Sequence, residues 1–233
     1  MAEYDATFVT SEKAKNFWGV FDHTGERIHK VTKGIDLDWW QRSTTVQRLE
    51  GEPSVLYGET WRDIKHPLKL LYAMAEVYKR NDKARLNTWG LGNNQTVWNY
   101  FIEHAGFQHF MGSWPIPNYV DYPEHRYSRG DVLVSPVHDG DLSRVHQESM
   151  ACGCPVIAWD SDEYKENYAW KFAKAFSVQD MADKIEQTYG EVLDDPERVH
   201  KECRRIAEEK FNIRKEAKEV VEVLRSVVNQ RKK

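Results

Sequence analysis

From residue 53 onward the sequence alternates short apolar runs with stretches of helical periodicity, a pattern that points to a parallel sheet covered by helices. The apolar runs at 54–57, 84–89, 107–111, 132–134, 156–158 and 172–176 are the predicted strands, six in all, of a Rossmann-like sheet. Leu68, Leu71, Tyr72, Ala75 and Tyr78 recur at helical spacing between the first two runs, as do Val97, Phe101 and Ile102, and later Met181, Ile185 and Tyr189. Each set is expected to be the core-facing stripe of a helix. The predicted class is therefore α/β, a Rossmann-like parallel sheet with helices on both faces.

The two ends depart from this alternation. Helical patterns at 179–193, 196–210 and 214–228 follow one another with no strand between them, which makes the carboxyl-terminal end helical. Pro196 suits the first turn of a helix after Asp194 and Asp195. Ala217, Val220, Val221, Leu224, Val227 and Val228 share one face of the final helix, which should dock on an apolar surface. At the other end, strand-like runs at 6–9 and 27–31 flank a helical piece at 11–18 and are expected to belong to a sheet, though not obviously to the main one. Residues 50–53 read as a hinge, so two units are expected, 1–50 and 51–233.

Composition removes several classes of function. A chain of 233 residues can bury a sizeable core without disulfides or metals. Its nine Trp, eleven Tyr and nine Phe are too many for a disordered chain. The net charge of -4, with a basic cluster only at Arg231, Lys232 and Lys233, argues against nucleic-acid and membrane-surface binding. No apolar run approaches the ~20 residues of a bilayer span. The first residues lack the charged start and apolar stretch of a signal peptide, so the expected location is cytoplasmic. Cys152 and Cys154, one residue apart, fit neither a disulfide framework nor zinc-ligand spacing; with Cys203 they are expected to be small buried side chains, and no metal site is expected.

The most informative stretch is 131–160, DVLVSPVHDGDLSRVHQESMACGCPVIAWD, in which a buried strand ends in a glycine-containing loop that opens a helix. Such a loop places unpaired backbone N–H groups at a helix start, where a diphosphate can bind. Gly140, Asp141, Leu142 and Ser143 are the candidate residues there. Glu148 lies one to two turns into the helix, where a carboxylate can accept hydrogen bonds from ribose or sugar hydroxyls, and Gly153 and Pro155 turn the chain into the next strand. The run ESMACGCPVIA at 148–158 resembles the E-A-M-A-x-G-x-P-V-I/V-A hallmark of GT-B glycosyltransferases of family 4, the group-1 transferases.

The resemblance extends over nearly the whole chain. Residues 54–73, SVLYGETWRDIKHPLKLLYA, are similar to the strand, glycine and helix that open the carboxyl-terminal domain of that family, where an arginine just after the glycine and a lysine at the helix start hold the donor diphosphate. Beyond Gly58, Lys65 falls in register with that lysine, whereas the arginine position carries Glu59 and the nearest arginine is Arg62. Guanidinium grips phosphate oxygens with two bonds and ammonium neutralises leaving-group charge, which is why these residue types suit the task. Residues 87–92 (NTWGLG) look like the family's strand ending in Gly-x-Gly. Residues 194–197 and 208–213 resemble its closing helices. The family usually has two glutamates eight positions apart; with Glu148 as the second, the first falls on Gly140, flanked by Asp139 and Asp141. Residues 4–11 and 28–36 look like the last strand and interdomain crossing of an amino-terminal GT-B half, so 1–50 is expected to be a remnant of that half and 51–233 a nucleotide-sugar-binding domain.

What the resemblance implies is the donor half of a retaining, metal-independent transferase that moves a hexosyl group from a nucleoside diphosphate sugar to a hydroxyl and needs no cofactor. In that scheme Lys65, Arg62 and the 140–143 loop stabilise the departing diphosphate, and Glu148 orients ribose or sugar hydroxyls. The expected partners are a nucleotide sugar and either a separate amino-terminal GT-B subunit or further copies of the chain. The changes at Glu59 and Gly140 leave open a non-catalytic GT-B-like module for assembly or ligand sensing. His138 and His146 could contact phosphate or sugar, although a histidine at a strand end is more often a polar cap on the core. Trp61, Trp114 and Trp159 could stack on a base or sugar ring, although packing is the commoner role of tryptophan.

Overall fold

The computed structural model describes residues 5–10, 12–22, 26–31, 33–60, 62, 65–89, 95–112, 123–137, 143–160 and 169–231. At the amino-terminal end, β1 (Thr7–Val9), α1 (Glu12–Gly19) and β2 (Ile28–Lys30) form a small βαβ unit whose strands pair in parallel, Thr7 beside Ile28. This pair is a sheet of its own.

The main sheet is built from β3 (Ser54–Tyr57), β4 (Arg85–Thr88), β5 (Val132–Ser135), β6 (Val156–Asp160) and β7 (Lys171–Lys174). All neighbours are parallel, in the order β4-β3-β5-β6-β7. Helices α2 (Pro67–Arg80), α3 (Gln95–His104), α4 (Arg144–Ala151), α5 (Val178–Asp194) and α6 (Pro196–Lys210) connect and cover it, and α7 (Ile213–Arg231) ends the chain. Because side chains alternate along a strand, Val55 and Tyr57 face one layer and Leu56 the other. The first layer is α2, α3 and α5, through Leu71, Met74, Trp98, Ile102, Met181 and Ile185. The second is α4 and α6, through Met150, Val199, Cys203 and Ala207. With both faces covered, every residue of β3 and β5 is buried, which is why these strands read as continuous apolar runs.

Residues 107–111 do not form the sixth strand. Gly106, at φ 74°, turns the chain, and Gln108–Phe110 is a 3-10 turn tied to the sheet by a single bridge between Leu86 and Met111. Phe107 and Phe110 both enter the first core layer. Residues three apart eclipse in a 3-10 turn but face opposite ways in a strand, so burying both rings on one side selects the turn. Of the expected stripe of α2, Leu71 is buried and Leu68, Ala75 and Tyr78 pack against this core, and Tyr72 departs from it. Leu70, Leu71, Met74 and Val77 are buried, whereas Tyr72 is 52% exposed, its ring edge-on to Phe107 at 5.7 Å on the flank of the helix. On α3 Ile102 and Phe101 face the core as expected, joined by Trp98, which stacks on Tyr57 at 5.8 Å with ring planes 6° apart, whereas Val97 faces out.

The terminal helices start where their caps dictate. Ser177 accepts a hydrogen bond from the Asp180 amide at 3.2 Å, and Asp195 accepts one from the Arg198 amide at 3.0 Å with Pro196 next to it. Ile35, Leu37 and Leu49 lie in the second core layer with Leu56 and Leu133. Arg204 fixes this segment by donating to the carbonyls of Leu37 (3.0 Å), Trp40 (2.6 Å) and Ala151 (3.1 Å). Ile35 then hydrogen-bonds Phe211 and Ile213 at the start of α7. On the apolar face of α7, Val221, Leu224 and Val228 are exposed while Val220 and Val227 are half-buried.

Candidate functional site

In this strand order the chain leaves β3 toward β4 on one side, then crosses to β5 on the other. The connections diverge at that point, and the carboxyl ends of β3 and β5 open a crevice at the topological switch of the sheet. Gly58 and Glu59 follow β3 and residues 136 and 137 follow β5, so the described parts of both segments singled out in the sequence leave the sheet at this one edge. Gly140, Asp141 and Leu142 lie outside the described residues, as do His138, Asp139, Trp61, Trp114 and the glycines at 90 and 92. Ser143, Lys65, Gly58, Arg62 and Glu148 are described.

Glu59 is the centre of the cluster. Its Oε1 accepts hydrogen bonds from Ser135 Oγ at 2.9 Å and Ser143 Oγ at 2.5 Å, and its Oε2 lies 3.0 Å from Lys65 Nζ. Glu59 and Lys65 are only 5% and 7% exposed. Burial pushes the Glu59 carboxyl up, but the Lys65 ammonium, the Ser143 hydroxyl and nearby His146 outweigh it and hold the group below its ordinary value. Ser143 is the residue before α4, yet its hydroxyl makes no cap bond to the helix; it donates to Glu59 instead. Lys65 is followed by His66 at φ 42°, an uncommon conformation outside glycine, whose ring meets Phe176, itself at φ 62°, edge-on at 5.0 Å.

Glu148 comes up from α4 beside this group. Tyr127 donates its hydroxyl to Glu148 Oε2 at 2.6 Å. The phenol is buried between Trp40 and Trp89, with ring centroids at 5.7 and 5.4 Å, so the donor is fixed in place. Burial raises the Glu148 pKa to about 7, against the lowering pull of the Tyr127 hydrogen bond, Arg144 and Arg126. Near neutral pH this carboxyl therefore exchanges between acceptor-only and proton-carrying forms, both able to bind hydroxyl groups.

The remaining candidates take definite places. Gly58 gives up its side-chain volume to Trp89, whose ring would lie 2.5 Å from a Cβ there. Arg62 is exposed and donates to Thr60 Oγ1 at 3.1 Å. His146 is buried under the cluster, and burial lowers its pKa to about 4, so it is neutral at neutral pH. Trp159 is buried in the first core layer, the packing role. The three cysteines are free and buried, and burial lifts the Cys154 thiol to about 12, which makes it unreactive. Among the described residues there is no cluster of potential metal ligands and no helix long and apolar enough to cross a membrane. Two clefts, of about 420 and 410 Å³, border Arg42 and His200. The walls of the second include Asp131 and Cys154, which precede β5 and β6, so it belongs to the opposite edge of the sheet, and the first shares Arg42, Gly153 and His200 with it.

Sequence reasoning missed Ser135 and Tyr127. Tyr127 stands 21 residues from Glu148, with no spacing that couples them. Ser135 is a small polar residue closing an apolar run, a weak sign that a strand end faces other polar groups.

No curated protein matches the sequence. Among solved structures the chain is similar to a glycosyltransferase from Rickettsia africae, with TM-score 0.79, 14% identity, and coverage of 96% of this chain and 63% of that one. It is similar to HepE from Anabaena in complex with UDP, with TM-score 0.75, 15% identity, and coverage of 95% and 64%. It is also similar to sucrose-phosphate synthase from Thermosynechococcus elongatus, with TM-score 0.77, 17% identity, and coverage of 98% and 59%. At these identities the likeness is one of fold, the GT-B architecture, and the chain spans less than two thirds of each of these proteins. Residues 54–191, more than half of the chain, match the family model for glycosyl transferases group 1. That match runs from β3 into α5 and takes in Lys65, Ser143 and Glu148. The chain belongs to the glycosyl transferases group 1 family.

Proposed function

We propose that the chain is the carboxyl-terminal, donor-binding half of a GT-B glycosyltransferase of family 4, which transfers a hexosyl group from a nucleoside diphosphate sugar to a hydroxyl with retention. The observation that carries this reading is the convergence of Lys65 and Ser143, from two different loops, on Glu59 at the switch-point edge of the sheet, with Glu148 on the helix that Ser143 precedes. In the reaction the bond between the anomeric carbon and the diphosphate breaks, the acceptor oxygen takes its place, and the acceptor's proton passes to the departing diphosphate. Lys65 and the amino-terminal end of α4 oppose the negative charge that grows on the departing diphosphate. Glu148, held by Tyr127, orients ribose or sugar hydroxyls. Gly58 and Arg62 flank this site in the proposal, and Gly140, Asp141 and Leu142 supply backbone amides to it.

The proposal includes a cytoplasmic location and, as partner, either a separate amino-terminal GT-B subunit or further copies of the chain in a homo-oligomer. The exposed rings of Phe17, Trp18 and Phe21 and the exposed face of α7 support an apolar partner surface. The contact between Lys65 and Glu59 favours a second reading, a nucleotide-sugar-binding or assembly module without catalysis. Titration calorimetry with UDP-, GDP- and ADP-sugars on the wild type, Lys65→Ala and Glu148→Ala tests the proposal. Saturable binding of at least one sugar nucleotide is expected, weakened about tenfold or more by each substitution, about 1.4 kcal/mol. Absence of binding to all three would leave only the assembly module.

A further inference from the structure

We infer that Glu59 is a resident anion of the donor site: its carboxylate holds Lys65 and the Ser143 hydroxyl in the way an incoming diphosphate would, so nucleotide binds only by displacing it. The inference rests on the reading of this edge as a diphosphate site and names the residue that sets its affinity.

Three observations carry it. First, the carboxylate uses donors from three elements, with Lys65 from the approach to α2, Ser135 from the end of β5 and Ser143 from the mouth of α4. Of these, Lys65 and Ser143 with the amino-terminus of α4 make a set that recognises phosphate oxygens, whereas Ser135 serves to tether the carboxylate. Second, Ser143 makes no cap bond to the helix it precedes and gives its proton to Glu59, so the polar end of α4 is turned toward a negative group already present. Third, both charges of the Glu59–Lys65 pair are buried. A buried pair of this kind contributes little stability over an apolar replacement, so stability alone is a poor reason for placing it at the crevice. A diphosphate brought to Lys65 would meet a carboxylate 3.0 Å from the ammonium, in a site where water screens poorly. Glu59 must therefore swing away for the phosphate to reach Lys65.

Neutralising the carboxylate should therefore tighten binding. Calorimetric titration with UDP and with inorganic pyrophosphate is to be run on the wild type, Glu59→Gln, Ser135→Ala and Glu59→Gln/Lys65→Met, with a thermal melt of each to establish folding. Glu59→Gln is expected to bind UDP about tenfold or more tightly than the wild type, and the added Lys65→Met change is expected to abolish the gain. Ser135→Ala loosens the carboxylate without touching any residue assigned to the phosphate, and should shift affinity in the same direction if Glu59→Gln does not fold. A purely structural pair would give reduced melting temperature and unchanged or weaker affinity. Wild-type binding of UDP with no tightening in either folded variant overturns the inference and leaves the donor-site reading intact. No binding of UDP or pyrophosphate to any of the proteins overturns both.

Discussion

Replacement of Glu148 by glutamine should convert a protein whose stability falls between about pH 4.5 and about pH 7 into one that lacks that fall. Burial raises the Glu148 carboxyl from its ordinary 4.5 to about 7. Below both values the folded and unfolded states each hold the proton, and the shift has no effect. Between them the unfolded chain ionises while the folded protein keeps its proton, so stability declines by about 1.4 kcal/mol per pH unit. Above the folded value both states are ionised and the loss, about 3 kcal/mol in all, is complete. The glutamine of the Glu148→Gln variant cannot titrate, and its amide oxygen can still accept the Tyr127 hydroxyl. Urea unfolding of both proteins from about pH 4 to about pH 8 measures the difference directly. The variant is expected to gain on the wild type steadily over this range, to about 3 kcal/mol at the upper end. Parallel pH profiles, or a variant that loses ground as pH rises, would refute the argument that burial controls this carboxyl.

Three further outcomes follow from the same geometry. Lys65→Met leaves Glu59 buried without its cation and should destabilise the fold by about 3–5 kcal/mol in denaturant melts, much of which Glu59→Gln/Lys65→Met should recover; an unaffected single variant would mean that the pair is open to water. Gly58→Ala forces a methyl group to within 2.5 Å of the Trp89 ring and should cost about 1–3 kcal/mol, lowering the melting temperature by several degrees. Tyr127→Phe removes the hydrogen bond that lowers the Glu148 pKa, so the carboxyl, followed by NMR, should titrate at higher pH than in the wild type; an unchanged midpoint would show that Tyr127 does not act on it.

The strands at the switch point were readable because both faces of the sheet are covered. A run such as VLVS before a glycine loop has no solvent side to interrupt it, and β3, β5 and β6 appear where their apolar runs stand. The closing helices were readable through their caps, Asp195 with Pro196 above all. Residues 107–111 misled because two phenylalanines three apart have the composition of a strand while their common burial selects a 3-10 turn, a choice made by tertiary packing. In the site, Glu148 was legible through the run that follows it, and Lys65 through its register after Gly58. The burial of Glu59 was not, because a glutamate in a loop reads as solvated until Lys65, Ser135 and Ser143 converge from separate parts of the chain. Tyr127 was hidden for the same reason, its role being created by folding alone.

The most direct test of the account is to locate the nucleotide on the protein. Backbone amide NMR spectra of the chain, recorded as UDP is added, should show saturable shifts concentrated at residues 58–65 and 143–148, the segments that meet at the carboxyl edge of β3 and β5. Shifts centred instead on Arg42, Arg48 and His200, at the clefts of the opposite edge, or spectra unchanged by UDP, would contradict the claim that this crevice is a donor site.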